Sequence, residues 1–156
     1  MSLLPSDNIE ELGITLPEAA APAGNYLPFK RIGDLVYVSG QLPLENGQLK
    51  YKGKVGADYS VEEGAEAARL CGINILSQLQ AACLGNIDWV SACVKLNVFV
   101  NSTDDFTDQP AVANGVSDLM AEVFGDAGKA VRAAVSSNAL PFGAAVEVEG
   151  VFQYQV

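Results

Sequence analysis

The chain has 156 residues, enough for one domain with a sizeable core. Its formal net charge is −10, from 19 acidic and 9 basic residues, and it contains no histidine. That balance argues against binding a phosphate backbone, and it excludes imidazole metal ligands and histidine acid–base chemistry.

Residues 1–24 read as a mixed arm, with Met1-Ser2-Leu3 a partial cloning remnant and Ser6 or Asp7 capping a short helix over Asn8–Leu12 that Gly13 stops. The remaining residues, 25–156, read as the domain proper. Tyr26–Ile32 and Leu35–Ser39 are expected as two strands joined at Gly33-Asp34, and Asn46-Gly47 marks another turn. Lys50, Lys52 and Lys54 form the densest basic run, beside Glu45 and Asp58. Ser60-Val61-Glu62-Glu63 fits a capping box that opens a helix to about Leu84, with Gly85 as its stop. Trp89–Val100 is expected as a long strand with Val90, Ala92, Val94, Leu96, Val98 and Val100 on one face. Asp105 or Thr107 opens a second helix near Pro110 that Gly125 ends at Phe124. Strands over 131–137 and 145–155 complete the order ββαβαββ, an α+β sheet with hairpins at both ends, both helices on one face and the other face needing cover.

Cys71, Cys83 and Cys93 are odd in number, lack metal-type spacing and sit among apolar neighbours, so they read as buried free thiols of a reducing compartment. The N-terminus has no basic start followed by an apolar run, and no charge-free apolar stretch is long enough to span a bilayer. A cytoplasmic protein without membrane contact is expected. Hydrophobic residues make up 49% of the chain and mean hydropathy is +0.20, which a homo-oligomer accounts for economically.

The segment with the most chemical content lies near the end. Arg132 sits on one predicted strand and Glu147 on the next, and the Leu140-Pro141-Phe142-Gly143 turn between them is expected to bring the two face to face. A guanidinium grips a carboxylate with two parallel hydrogen bonds, and a glutamate beside it can orient or deprotonate water. Taken alone, Arg132 is equally a buried ion-pair partner, and Glu149 shares the strand face of Glu147. Tyr26 is equally an ordinary strand aromatic, whereas Gly40 reads first as a strand-end backbone requirement and Asn114 first as a helix surface residue.

Val38-Ser39-Gly40-Gln41-Leu42-Pro43, Asn97-Val98-Phe99-Val100 with Asp105-Phe106, and Arg132 and Leu140-Pro141 with Val146-Glu147-Val148-Glu149 together resemble the RidA/YjgF family. That family is also labelled endoribonuclease L-PSP or translation inhibitor. Gly53-Lys54-Val55-Gly56, Ala67-Ala68-Arg69, Asn114-Gly115-Val116-Ser117-Asp118-Leu119 and Val123-Phe124-Gly125 resemble a longer sub-branch of it. The resemblance implies a chorismate-mutase-like fold assembled as a homotrimeric barrel with clefts between subunits. It implies metal-independent, cofactor-free hydrolysis of reactive 2-imino or enamine acids to 2-oxo acids and ammonia. Arg132 matches the family arginine that binds the substrate carboxylate, and Glu147 the glutamate that positions water. Tyr26, Gly40 and Asn114 match positions lining the pocket. Ala134 stands where well-studied members have a cysteine, and Ala130 where the sub-branch has a histidine. A non-catalytic sensor of small carboxylates is the alternative that these two departures favour. A ribonuclease or translation inhibitor is disfavoured by the acidic charge and the missing histidine.

Overall fold

The computed structural model describes residues 3–156; Met1 and Ser2 of the suggested cloning remnant lie outside the described residues. Helix α1 (Pro5–Glu11) starts three residues earlier than the sequence suggests. Pro5 supplies a preset helical φ at the first position, and the Asp7 carboxylate accepts the Leu4 N–H at 3.2 Å. Ser6 is drawn elsewhere: its N–H and hydroxyl both donate to Asp88, each at 2.8 Å. Asn8 Nδ2 donates to the Val123 carbonyl at 2.9 Å, so α1 docks beside the second long helix of the chain.

Strands β1 (Phe29–Ile32) and β2 (Leu35–Gln41) form an antiparallel hairpin around Gly33-Asp34 as expected, but β1 begins three residues late and leaves Tyr26 in the irregular arm. A small hairpin follows, β3 (Leu44–Glu45) and β4 (Gln48–Leu49), turning through Asn46 and Gly47 at φ 53° and 75°. Two successive positive φ values are what a tight primed turn requires and what Asn-Gly tolerates. The capping box forms as expected: Ser60 Oγ accepts from Glu63 N–H at 3.1 Å and Glu63 Oε1 from Ser60 N–H at 3.0 Å. It opens α2 (Val61–Ala82). Helix α3 (Gln109–Phe124) has Asp108, not Asp105 or Thr107, at its N-cap position; Thr103 holds Asp105 at 2.9 Å in the preceding turn. Gly64 and Gly72 of α2 lie under Val112 and under Val116 and Leu119, and Gly115 of α3 lies against the Ala65 carbonyl. Small residues on both helices thus set a close approach.

Strands β5 (Val90–Asn101), β6 (Val131–Ser137) and β7 (Val146–Tyr154) complete a five-stranded mixed sheet in the order β1-β2-β7-β5-β6. Only the β5–β6 pair is parallel. Two irregularities in β5, between Val90 and Ala92 and between Cys93 and Lys95, break the simple alternation read from the sequence. One inserted residue flips the strand face and a second flips it back. Cys93 therefore turns into the core while Val94 is exposed, and Leu96, Val98 and Val100 return to the buried side.

Helices α2 and α3 cover one face, over Val36, Val38, Leu96, Val98, Val146, Val148 and Phe152. No helix of the described residues covers the other face, where Tyr37, Val131 and Val135 are exposed. The architecture of the described residues is α+β with a mixed sheet and three α-helices. One expectation fails: β6 and β7 are not a hairpin. Strand β5 pairs with both and lies between them, so Arg132 and Glu147 of one chain are separated by a strand. No helix of the described residues is long and apolar enough to cross a membrane.

Candidate functional site

Along β7 the side chains of Val146, Val148 and Phe152 enter the core, so Glu147 and Glu149 project from the face that carries no helix. Glu147 meets β2 at an irregularity between Val38 and Gln41, where three steps on β2 match two on β7. Gly40 lies in that bulge. A Cβ there would stand 2.9 Å from Glu147 Cδ and 3.0 Å from Oε1. The φ of Gly40 is not positive, so the glycine supplies space rather than an unusual backbone conformation.

Glu147 and Gly40 open onto a cavity of about 670 Å³. Its walls come from Gln41, Leu42, Leu44 and Leu49, from Lys52, from the Pro141-Phe142 turn and from the arm residues Ala20–Gly24 with Tyr26. The arm is fixed there because buried Gln78 donates from Nε2 to the Ala20 carbonyl at 2.9 Å. Tyr26 Oη accepts the Ala23 N–H at 3.3 Å. Burial, and then the neighbouring Glu149 carboxylate, push the Glu147 carboxyl above its ordinary range. Glu149 itself accepts a hydrogen bond from Asn97 Nδ2 at 3.0 Å. A half-buried carboxyl with raised proton affinity, facing open space, is suited to take up and return a proton.

The second group of residues lies at the sheet edge. Arg132 is opposite Leu96 in the parallel ladder, and its side chain reaches across to α3. Nη1 donates to Asn114 Oδ1 at 2.8 Å and to Ser117 Oγ at 3.0 Å; Nη2 donates to the Pro110 carbonyl at 3.2 Å. All three acceptors are neutral, and among the described residues Arg132 has no ion-pair partner. Its orientation is fixed while its charge stays uncompensated and exposed, which is the condition for receiving an anion. Ala134, two residues on, is partly buried against the core opposite Val98.

The structure therefore sorts the six residues singled out in the sequence into two clusters. Glu147, Gly40 and Tyr26 share the cavity; Arg132 and Asn114 are bonded to each other at the far edge, with Ala134 on the same strand. Sequence reasoning missed Ser117, Lys52, Phe142 and the arm wall. The spacing of Pro110, Asn114 and Ser117 on one helical face was a signal for the arginine cradle; the cavity wall had none, because it is assembled from distant segments. The thiols take no part: burial raises Cys71 well above the usual thiol range, with Glu147 adding to it, and pushes Cys93 up to about 12. Among the described residues no three acidic, Cys or His side chains gather as a metal site would require.

Residues 7–152 match the family model described as "YjgF/chorismate_mutase-like, putative endoribonuclease". The chain belongs to the YjgF/RidA family. Protein TCP17 of Trypanosoma cruzi is 50% identical over 147 residues, covering 94% of this chain and 91% of that relative. A crystal structure of a protein of unknown function from Agrobacterium tumefaciens superposes with a TM-score of 0.90 at 44% identity, over 97% of this chain and 92% of the other. RidA from an Antarctic Psychrobacter superposes with a TM-score of 0.59 at 28% identity, over 87% and 94%. This YjgF/RidA chain is thus more similar to the Agrobacterium protein, whose match takes in nearly the whole length, than to that RidA.

Proposed function

We propose that the protein hydrolyses reactive 2-imino acids and their enamine tautomers to 2-oxo acids and ammonia, in clefts between the chains of a homotrimer. The observation that supports this reading is that one chain presents an oriented, uncompensated guanidinium at a sheet edge and, elsewhere, a half-buried carboxyl of raised proton affinity facing a cavity. Within a chain they are separated by β5. A neighbouring copy that brings its Arg132 edge to the Glu147 cavity would complete the site.

In that cleft Arg132 of one protomer takes the substrate carboxylate with its two-pronged fork and fixes the C2 carbon, which removes entropy from the reacting pair. Water adds its oxygen to the electrophilic C2 of the iminium while Glu147 of the partner takes the released proton. The resulting carbinolamine nitrogen receives that proton, the C–N bond breaks and the C2 carbonyl forms. Ammonium carries away the nitrogen with the remaining hydroxyl proton. The same carboxyl must accept and then donate, so a proton affinity raised by burial suits both halves. Gly40 lets the carboxyl stand against the backbone, and Tyr26 contributes to the cavity wall. Ala134 offers only its backbone to the ligand.

The test is release of ammonia and 2-oxo acid from 2-aminoacrylate generated in situ, alongside titration with 2-oxobutyrate. The parent should accelerate release. Arg132→Ala should weaken 2-oxobutyrate binding on the order of a hundredfold, and Arg132→Lys should restore little, because an ammonium cannot reproduce the fork. Undiminished binding by Arg132→Ala would refute the assigned clamp. Binding by the parent without turnover of any imine would assign the cleft to carboxylate sensing instead.

A further inference from the structure

We propose that Lys52 binds a second carboxylate and thereby tunes the cavity to dicarboxylic 2-imino acids, an inference that rests on the imine-hydrolysing reading of the cleft. Of the three lysines in the basic run, the two outer ones are engaged. Lys50 pairs with Glu45 at 2.9 Å, and Lys54 Nζ donates to Asn101 Oδ1 and to the Asn138 carbonyl, each at 2.8 Å. Lys52 Nζ has neither hydrogen bond nor ion pair among the described residues. Among the described residues lining the cavity it is the sole cation and Glu147 the sole acid.

An exposed lysine ordinarily does no more than solvate a surface. This one is seated. Its backbone is clamped on both sides by one hydroxyl: the Lys52 N–H donates to Tyr59 Oη at 3.1 Å, and Tyr59 Oη donates to the Lys52 carbonyl at 3.2 Å. Residues 51–53 are stitched to the lead-in of β7, with Gly53 N–H donating to the Gly143 carbonyl at 2.9 Å and Ala145 N–H to the Tyr51 carbonyl at 3.1 Å. The Lys52 stem lies over Gly143, where a Cβ would come within 3.3 Å of Cε. Lys52 is thus registered against Ala144, on the same frame that presents Glu147.

Lys52 and Glu147 both line the cavity, yet among the described residues no ion pair joins them. The ammonium and the carboxyl therefore stand apart on the wall. The lining also includes the apolar Leu42, Leu49 and Phe142. A substrate held at its C1 carboxylate by Arg132 and reacting at Glu147 would run its methylenes along that apolar stretch. Its distal carboxylate would end at Lys52. A single ammonium matches one singly charged carboxylate, and Glu147, the only acid among the described lining residues, is assigned to water.

The experiment compares the parent, Lys52→Met and Lys52→Arg in titrations with 2-oxoglutarate and 2-oxobutyrate. Ammonia release is followed from the corresponding imino acids generated in situ by an amino-acid oxidase. Methionine keeps the stem over Gly143 and removes only the charge. The parent should prefer the five-carbon diacid by about tenfold, Lys52→Met should lose most of that preference, and Lys52→Arg should keep it. Equal affinity of the parent for the two acids, or an unchanged ratio in Lys52→Met, overturns the Lys52 assignment while ammonia release still stands for the deaminase. Failure of the parent to bind either acid or to release ammonia overturns both.

Discussion

Gly40 and Glu147 share a space that only one of them can fill. A methyl group at position 40 would sit 2.9 Å from Glu147 Cδ, and the side that yields is the mobile carboxyl rather than the sheet. Gly40→Ala should therefore fold almost normally, with stability within about 1 kcal/mol of the parent. Turnover should fall about a hundredfold, because the displaced carboxyl no longer meets the water. Equilibrium unfolding together with the ammonia assay separates the two effects, and unchanged turnover would break the link between Gly40 and catalysis. Glu147 gives a second prediction at this scale. Its folded-state pKa is raised, chiefly by burial, so the native state holds the proton more tightly than the unfolded chain. That contribution is fully present below the unfolded carboxyl value of about 4.3 and is lost as pH rises through the folded value. Glu147→Gln cannot ionise. Thermal melts from pH 3.5 upward should show the variant gaining on the parent as pH increases, and a gap independent of pH would contradict the raised pKa.

Among the elements, the α2–α3 seam rests on missing side chains. Gly115 lies against the Ala65 carbonyl with no room for a Cβ, and backbone cannot rotate aside as a side chain does. Gly115→Ala should cost about 3 kcal/mol in chemical denaturation; a loss under about 0.5 kcal/mol would mean that the helices simply shift apart. What was legible in the sequence divides at this scale. The Ser60–Glu63 box, the Asn46-Gly47 turn and the Gly125 stop act within a few residues, and they were readable because their causes are local. The insertion of β5 between β6 and β7 is decided by competition among strands from distant parts of the chain. Arg132 and Glu147 were therefore identified singly while their expected hairpin was wrong. The role of Gly40 needed Glu147 opposite it, 107 positions away in a register that only the sheet supplies. The bulges in β5 likewise have no signature in an alternating apolar run, which is why Val94 was grouped on one face with Leu96, Val98 and Val100.

For the molecule as a whole, the uncovered sheet face sets the main expectation. Tyr37 is 47% exposed, Val131 69% and Val135 48% on that face, with Leu27 and Phe142 exposed near its margins. A lone chain would leave this surface in water. Light scattering after size exclusion should give a mass near three times the 16.3 kDa chain, and a monomer mass would remove the shared-cleft mechanism. An Arg132 mutant mixed with a Glu147 mutant should then regain activity after subunit exchange, because some clefts would draw both intact residues from different chains.

Strand β7 is the last of the sheet to be synthesised, yet it lies third of five, between β2 and β5. Val36 must wait for Phe152 and Val98 for Val148 before either strand is paired on that side. Until β7 arrives, α2 and α3 can dock on each other, but two future interior strands still present open hydrogen-bonding edges. Completion of the sheet needs pairing between segments far apart along the chain, and non-local pairing of this kind is expected to slow folding. During that interval the same edges are templates for strands of other molecules. The topology that shelters Glu147 in the finished protein makes the unfinished chain its most aggregation-prone form.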